Sequence, residues 1–358
     1  VTKASTFAKY TAADKCAGLA DSMLMASDIP NLELAHRWQI DIDAAIQYAI
    51  ACEDAARNYD KRISNSEGAT VTTRNGVCAY GNTHGFIESF PNTRHSISCS
   101  VVGESGEDMQ RDYYYSTARD ASELETAEQI GQTAAKRTIG RLGARKIKTT
   151  KAAVLYAPEI ACGFINHAIS AIGGGAQYRR SSFLLDAVDE QIFPDFLQIL
   201  QRPHIPKAMA SLPYDAEGVA TSDRDIVIDG VLQSYILSSY SARRLNLKTT
   251  GNAGGAQNLI VSSNAGDMLS IMKTMKSGLL VHELIGQGIN PVSGDYSRGA
   301  VGYWIDNGEI AYPVHEITIA GNLRELYQRI TAIGNDQDIR GGTRCGSLLV
   351  DEMTIAGA

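Results

Sequence analysis

The sequence predicts an α+β protein of two modules, an antiparallel meander with flanking helices followed by a strand-helix-hairpin module. Three observations carry this. Residues 63–117 break into short β-rich runs separated by turn signals. Helical periodicity flanks that stretch on both sides. Beyond residue 152 the order becomes strand, helix and hairpins, with no fixed-period repeat.

Taken in order, residues 3–26 read as helix, closed at Asp28-Ile29-Pro30. The chain opens at Val1 inside that helical pattern and without a methionine, as a fragment would. Asp41 caps a second helix in which Ile42, Ala45, Ile46, Ala49 and Ile50 repeat at helical spacing. Turn signals then fall at Asn75-Gly76, Gly81-Asn82, Pro91-Asn92 and Glu104–Gly106, with strands at Ser96–Val102 and Met109–Tyr115. A helix covers 123–142, and Arg145-Lys146-Ile-Lys148 reads as a solvated linker between the modules. Ala153–Tyr156 is a buried strand, and Pro158 opens a helix that Gly173-Gly174-Gly175 stops before a loop. Asp229-Gly230 and Asp306-Asn307-Gly308 each turn a hairpin, and helices cover 267–276 and 322–333.

Composition narrows the function classes. The 33 basic and 40 acidic residues give a net charge of −7, against a basic nucleic-acid footprint. No apolar run approaches the ~20 residues that span a bilayer as a helix. The six cysteines make no short metal-ligand spacing and are too sparse for a disulfide scaffold, which points to a reducing, cytoplasmic setting.

Residue chemistry alone yields no complete active site. A zincin helix needs His-Glu-x-x-His, because that spacing puts both imidazoles on one helix face. His282-Glu283 is followed at that position by Gly286 and lies in a strand-like run, and His315-Glu316 precedes the alternating Ile317-Thr-Ile319. Both pairs read as packing or surface. Gly294-Asp-Tyr-Ser297-Arg-Gly299 has one residue too many for a nucleophile elbow. The three glycines at 173–175 follow a helix and so lack a phosphate loop's helix N-terminus. Asn335-Asp336-Gln-Asp338 reads as a turn, and Tyr113-Tyr114-Tyr115 as strand surface.

Longer runs carry a resemblance. Gly294–Leu323, Ser239–Leu245 with Thr250–Gly255, Lys61–Gly68, Thr93–Ser96 and Cys345-Gly-Ser-Leu-Leu resemble the PmbA (TldE) branch of the TldD/PmbA family. The likeness spans nearly the whole chain. It implies that residues 1–27 are the last helix of an otherwise missing N-terminal domain, 28–148 a central α+β domain and 149–358 the C-terminal domain. In that family the TldD-like subunit carries a His-Glu-x-x-x-His zinc motif and a further cysteine ligand. The two subunits form a metallopeptidase acting on unfolded or leader-type peptides. Counting back from Arg179-Arg180, the motif's residues fall here on Asn166, His167 and Ala171, and the cysteine on Cys345. A catalytic zinc needs about three protein ligands and a base for its water. The resemblance therefore implies a non-catalytic partner of a TldD-like subunit that holds the zinc, with no metal or catalytic residue of its own. In isolation such a chain is expected to pair with itself, and its ligand is unfolded peptide rather than nucleic acid or membrane. Two alternatives stand beside this: an autonomous peptidase using His282, Glu283 and Cys345, and a non-enzymatic regulator, in line with the family's older label as a modulator of DNA gyrase.

Overall fold

The computed structural model describes residues 2–357. The first helix, α1 (Thr2–Tyr10), is much shorter than the expected 3–26. After it the chain leaves the helix through a turn: Cys16 N–H bonds to Asp14 Oδ1 at 2.9 Å, Ala17 N–H bonds to Asp14 O at 3.0 Å, and Gly18 takes φ 144°. The Arg243 guanidinium then binds the carbonyls of Cys16, Gly18 and Leu19. These carbonyls serve a distant arginine instead of a helix ladder. Helical geometry returns only as a 3-10 turn at Ser22–Leu24.

Helix α2 (Ile42–Arg57) starts where Asp41 accepts from Ala44 N–H at 2.8 Å. Its isoleucine stripe does not face the core, however; Ile42, Ile46 and Ile50 are exposed, and Cys52 and Ala56 are buried instead. The reason is helix α3 (Ala127–Gly140), where a Cβ on Gly131 would lie 2.1 Å from the Cys52 carbonyl oxygen. The helices approach so closely that only small residues fit between them. Thr126 and Gln129 form a capping box that starts α3.

Both helices lie on an antiparallel meander of β1 (Ile63–Gly81), β2 (Ile87–Ser105) and β3 (Asp108–Ala118). Two expected turns are strand interior, since Gly76 pairs with Asn92 and Val77 with Pro91. Pro91 is tolerated because β3 reaches along β2 only to His95, leaving the second edge of β2 unpaired there. Ile97, Cys99, Val101, Ile130 and Ala134 form this sheet's core. The basic stretch after α3 is exposed, as expected of a solvated linker, and is also pinned. Arg145 N–H bonds to Pro313 O at 2.9 Å, its guanidinium covers Tyr312, and Lys146 pairs with Glu316 at 2.5 Å.

The remaining strands all lie between residues 150 and 356. Strand β4 (Thr150–Tyr156) leads into α4 (Pro158–Ala171), with proline in the first turn as anticipated. The glycine run then opens a short helix, α5 (Gly174–Tyr178), where a loop was expected. Next come β5 (Ile199–Gln201), β6 (Arg224–Ile228), β7 (Val231–Leu232), α6 (Ser239–Arg244), β8 (Leu259–Val261) and α7 (Met268–Met275). After these come β9 (Gly278–Ile285), β10 (Asp295–Asp306) and β11 (Glu309–Asn322). The expected helix at 322–333 is only α8 (Leu323–Gln328), because Ile330–Ile333 pairs as β12. Strands β13 (Thr343–Arg344) and β14 (Leu348–Ala356) follow.

One sheet has the order β11-β10-β9-β4-β14-β12, and β14 also pairs with β11, which closes five of its strands into a barrel. The second sheet has the order β13-β8-β5-β6-β7. Helix α4 packs its apolar face on the main core, with Phe164 stacked on Tyr156 at 5.0 Å and edge-on to Tyr327 at 5.2 Å. Among the described residues all six cysteines are free thiols, and no helix is long and apolar enough to cross a membrane.

Candidate functional site

Helix α4 carries the positions singled out by the resemblance. Burying Ala161, Phe164, Ile165 and Ala168 leaves Asn166 exposed and His167 half-buried. Asn166 Oδ1 accepts from Thr343 Oγ1 at 2.6 Å, so this position does lie beside the segment that carries Cys345. Ala171 is buried and offers only its carbonyl, which Gln177 and Ser182 each bind at 2.7 Å. Cys345 is fully enclosed, and burial pushes its thiol well up. Cys162, one turn before Asn166, donates to Thr343 O at 3.2 Å, and burial pushes its thiol up to about 12. The imidazole of His167 is pushed down by burial first and by the charge of Arg298 second, and among the described residues its buried Nε2 has no hydrogen-bond partner.

Beside α4 the two halves of the chain enclose a cleft of about 360 Å³. Strand β3, α3, α4, β9 and β10 all contribute to it, with Tyr113, Gly163, His282, Leu284 and Arg298 among its lining residues. Its charges form two groups. Glu159 pairs with Arg137 at 2.5 Å and with Arg340 at 3.5 Å, while Arg340 also binds Asp338 at 2.9 Å. Arg141, 16% exposed, bridges Glu283 at 2.7 Å and Asp112 at 3.3 Å, tying β9 to the meander. Arginines 137 and 340 also lie over the Tyr114 ring, and Arg340 over that of Tyr115. Burial pushes His282 below its usual range, and its ring meets Tyr303 edge-on at 5.4 Å. Arg298 is different: among the described residues its side chain makes neither a hydrogen bond nor an ion pair, and its Nε is buried.

Comparison with known proteins places this arrangement. Residues 35–142 match the central domain and 149–357 the C-terminal domain of the PmbA/TldA metallopeptidase models. The chain belongs to the PmbA/TldD family. It is 48% identical to Metalloprotease PmbA of Escherichia coli over 357 residues, which is 100% of this chain and 79% of that protein. Its fold is similar to a solved structure from Bacteroides thetaiotaomicron named for modulation of DNA gyrase, with a TM-score of 0.93, 27% identity, and coverage of 99% and 81% of the two chains. The fold also matches TldE from Thermococcus kodakarensis, with a TM-score of 0.82, 19% identity, and coverage of 99% and 83%.

The family name implies a metal, and the donors at the matching positions do not fit one. An amide oxygen already engaged by Thr343, one half-buried imidazole, a methyl group and a single enclosed thiol do not make a zinc site with a base. Among the described residues no three His, Cys, Asp or Glu side chains come together as metal ligands. Both His-Glu pairs lie on strands, His282-Glu283 in β9 and His315-Glu316 in β11, so neither offers helical ligand spacing. The PmbA/TldD resemblance was the only signal in the sequence for the α4 site. The sequence also singles out His282-Glu283 and Tyr113–Tyr115, which reach the cleft, but its arginines come from separate elements and form no motif.

Proposed function

We propose that this chain is the PmbA/TldE-like, non-catalytic subunit of a TldD/PmbA-type metallopeptidase complex, which processes or degrades unfolded or leader-type peptides in the cytoplasm. The observation that carries this is the donor set on α4. In a chain 48% identical to a protein named as a metalloprotease, the motif positions hold Asn166 bonded to Thr343, a lone His167, and Ala171. The TldD-like partner then supplies the zinc, and this subunit completes the peptide channel. Strand β1 suits that task, because among the described residues it pairs only with β2 and its residues 73–79 are exposed. Its free edge offers backbone pairing, which reads an extended chain rather than a fixed sequence. The autonomous-peptidase reading gains no support from Glu283, which is held by Arg141, or from Cys345, which is enclosed.

The test is peptide cleavage by this chain, by a TldD-like subunit, and by their mixture. Cleavage by the mixture that exceeds either subunit alone, or that cuts different peptides, is the expected result. Zinc-dependent turnover by this chain alone, lost on Cys345→Ala, would overturn the assignment.

A further inference from the structure

We propose that the cleft between the meander and α4 binds a short peptide as a zwitterion, with its carboxylate on Arg298 and its ammonium group near Asp112 and Glu283. The word peptide rests on the function proposed above; the two charged ends rest on the cleft itself. Two charges in its wall are left over. Arg141 serves both Asp112 and Glu283, so that end carries one negative charge too many. Arg298 has no carboxylate at all, so its end carries one positive charge too many. All three residues line one cleft, yet Arg298 pairs with neither acid. Leaving opposite charges apart in a partly buried wall is costly unless something spans them.

The guanidinium's planar fork matches a carboxylate. A dianion such as phosphate fits less well, because it would overcompensate Arg298 and leave the excess negative charge at the Asp112 and Glu283 end unmet. A zwitterion satisfies both ends and leaves the total unchanged. Leu284 and the Tyr113 ring give the ligand's middle an apolar surface. The floor at α4 is open because residue 163 is glycine, and a Cβ built there meets nothing within 4 Å. The cleft's size suits a short peptide and not a folded partner.

The test is calorimetric titration of the intact chain with three peptides of one size: free trialanine, its C-terminal amide and its N-acetyl form. Free trialanine is expected to bind at least about tenfold more tightly than either blocked form. In Arg298→Gln the difference between acid and amide should vanish, while the penalty for acetylation persists. Gly163→Leu should abolish binding with thermal stability unchanged or raised, because it fills the cleft and removes a helical glycine. Equal binding of all three peptides would overturn the zwitterion while leaving a peptide-binding subunit standing. Failure of trialanine to bind, or wild-type affinity in Gly163→Leu, would overturn the site itself, and the mixing assay decides the subunit role separately.

Discussion

Gly131→Ala and Gly163→Ala place the same methyl group in the middle of two helices and should have opposite effects. In α3 the new Cβ would sit 2.1 Å from the Cys52 carbonyl oxygen and 3.0 Å from Ala56 N, both on the backbone of α2. Carbon and carbonyl oxygen tolerate about 3.3 Å, so the helices would have to separate by roughly 1 Å. No rotamer change can relieve a clash between backbones. Overpacking of this severity costs ~3 kcal/mol, and the helix gain on replacing glycine offsets ~1 kcal/mol. The net loss is about 2 kcal/mol for the central module. In α4 no neighbour lies within 4 Å, so only the gain remains and Gly163→Ala should stabilise by up to ~1 kcal/mol. The two tryptophans separate the readouts, since Trp38 belongs to the meander's core and Trp304 to β10. Urea unfolding would follow Trp38 in a Trp304→Phe background for Gly131→Ala, and Trp304 in a Trp38→Phe background for Gly163→Ala. A Gly131→Ala chain as stable as its parent would refute the close α2–α3 contact.

Two further outcomes follow from side-chain environments. Lys207 at 3.0 Å, followed by the backbone and hydroxyl of Ser122, holds the Asp120 carboxyl well below its unfolded value of 3.8. Its contribution is therefore complete above that value and is lost as acid protonates the folded group. The stability lost between about pH 5 and about pH 3 should be smaller in Asp120→Asn than in wild type, and equal losses would remove Asp120 from the acid response. Thiol labelling of the native chain, read by peptide mass spectrometry, should modify exposed Cys78 and spare Cys52, Cys99 and Cys345 until urea is added. Native labelling of Cys345 at the rate of Cys78 would show that its pocket is open.

Local chemistry was legible in the sequence wherever one or two residues decide the outcome. The Asp41 cap, Pro158 in the first turn of α4 and the Asp229-Gly230 and Asp306–Gly308 turns all stand where they were read. Features decided at a distance were not legible. Asn75-Gly76 has the composition of a turn, but the register with β2 carries it straight through. The isoleucines of α2 look like a core stripe, yet Gly131 on another helix selects the small-residue face. The candidate site divides the same way. Asn166, His167, Ala171 and Cys345 are marked only by resemblance, while Arg298 is distinguished only by the pairings of its neighbours, which no sequence pattern encodes.

The closure of the barrel bears on how the chain is made. Strand β4 lies between β9 and β14, and Leu348 of β14 pairs with Tyr156 at its far end. Strand β14 also supplies the seam to β11 through Thr354 and Ile355. During synthesis, β4 leaves the ribosome long before the strand that covers its second edge exists. Through that interval an apolar edge containing Val154 and Leu155 is open to any extended chain nearby. Once β14 emerges, it zips against β4, β11 and β12 together, so the slow non-local step and the final sealing of the core are one event.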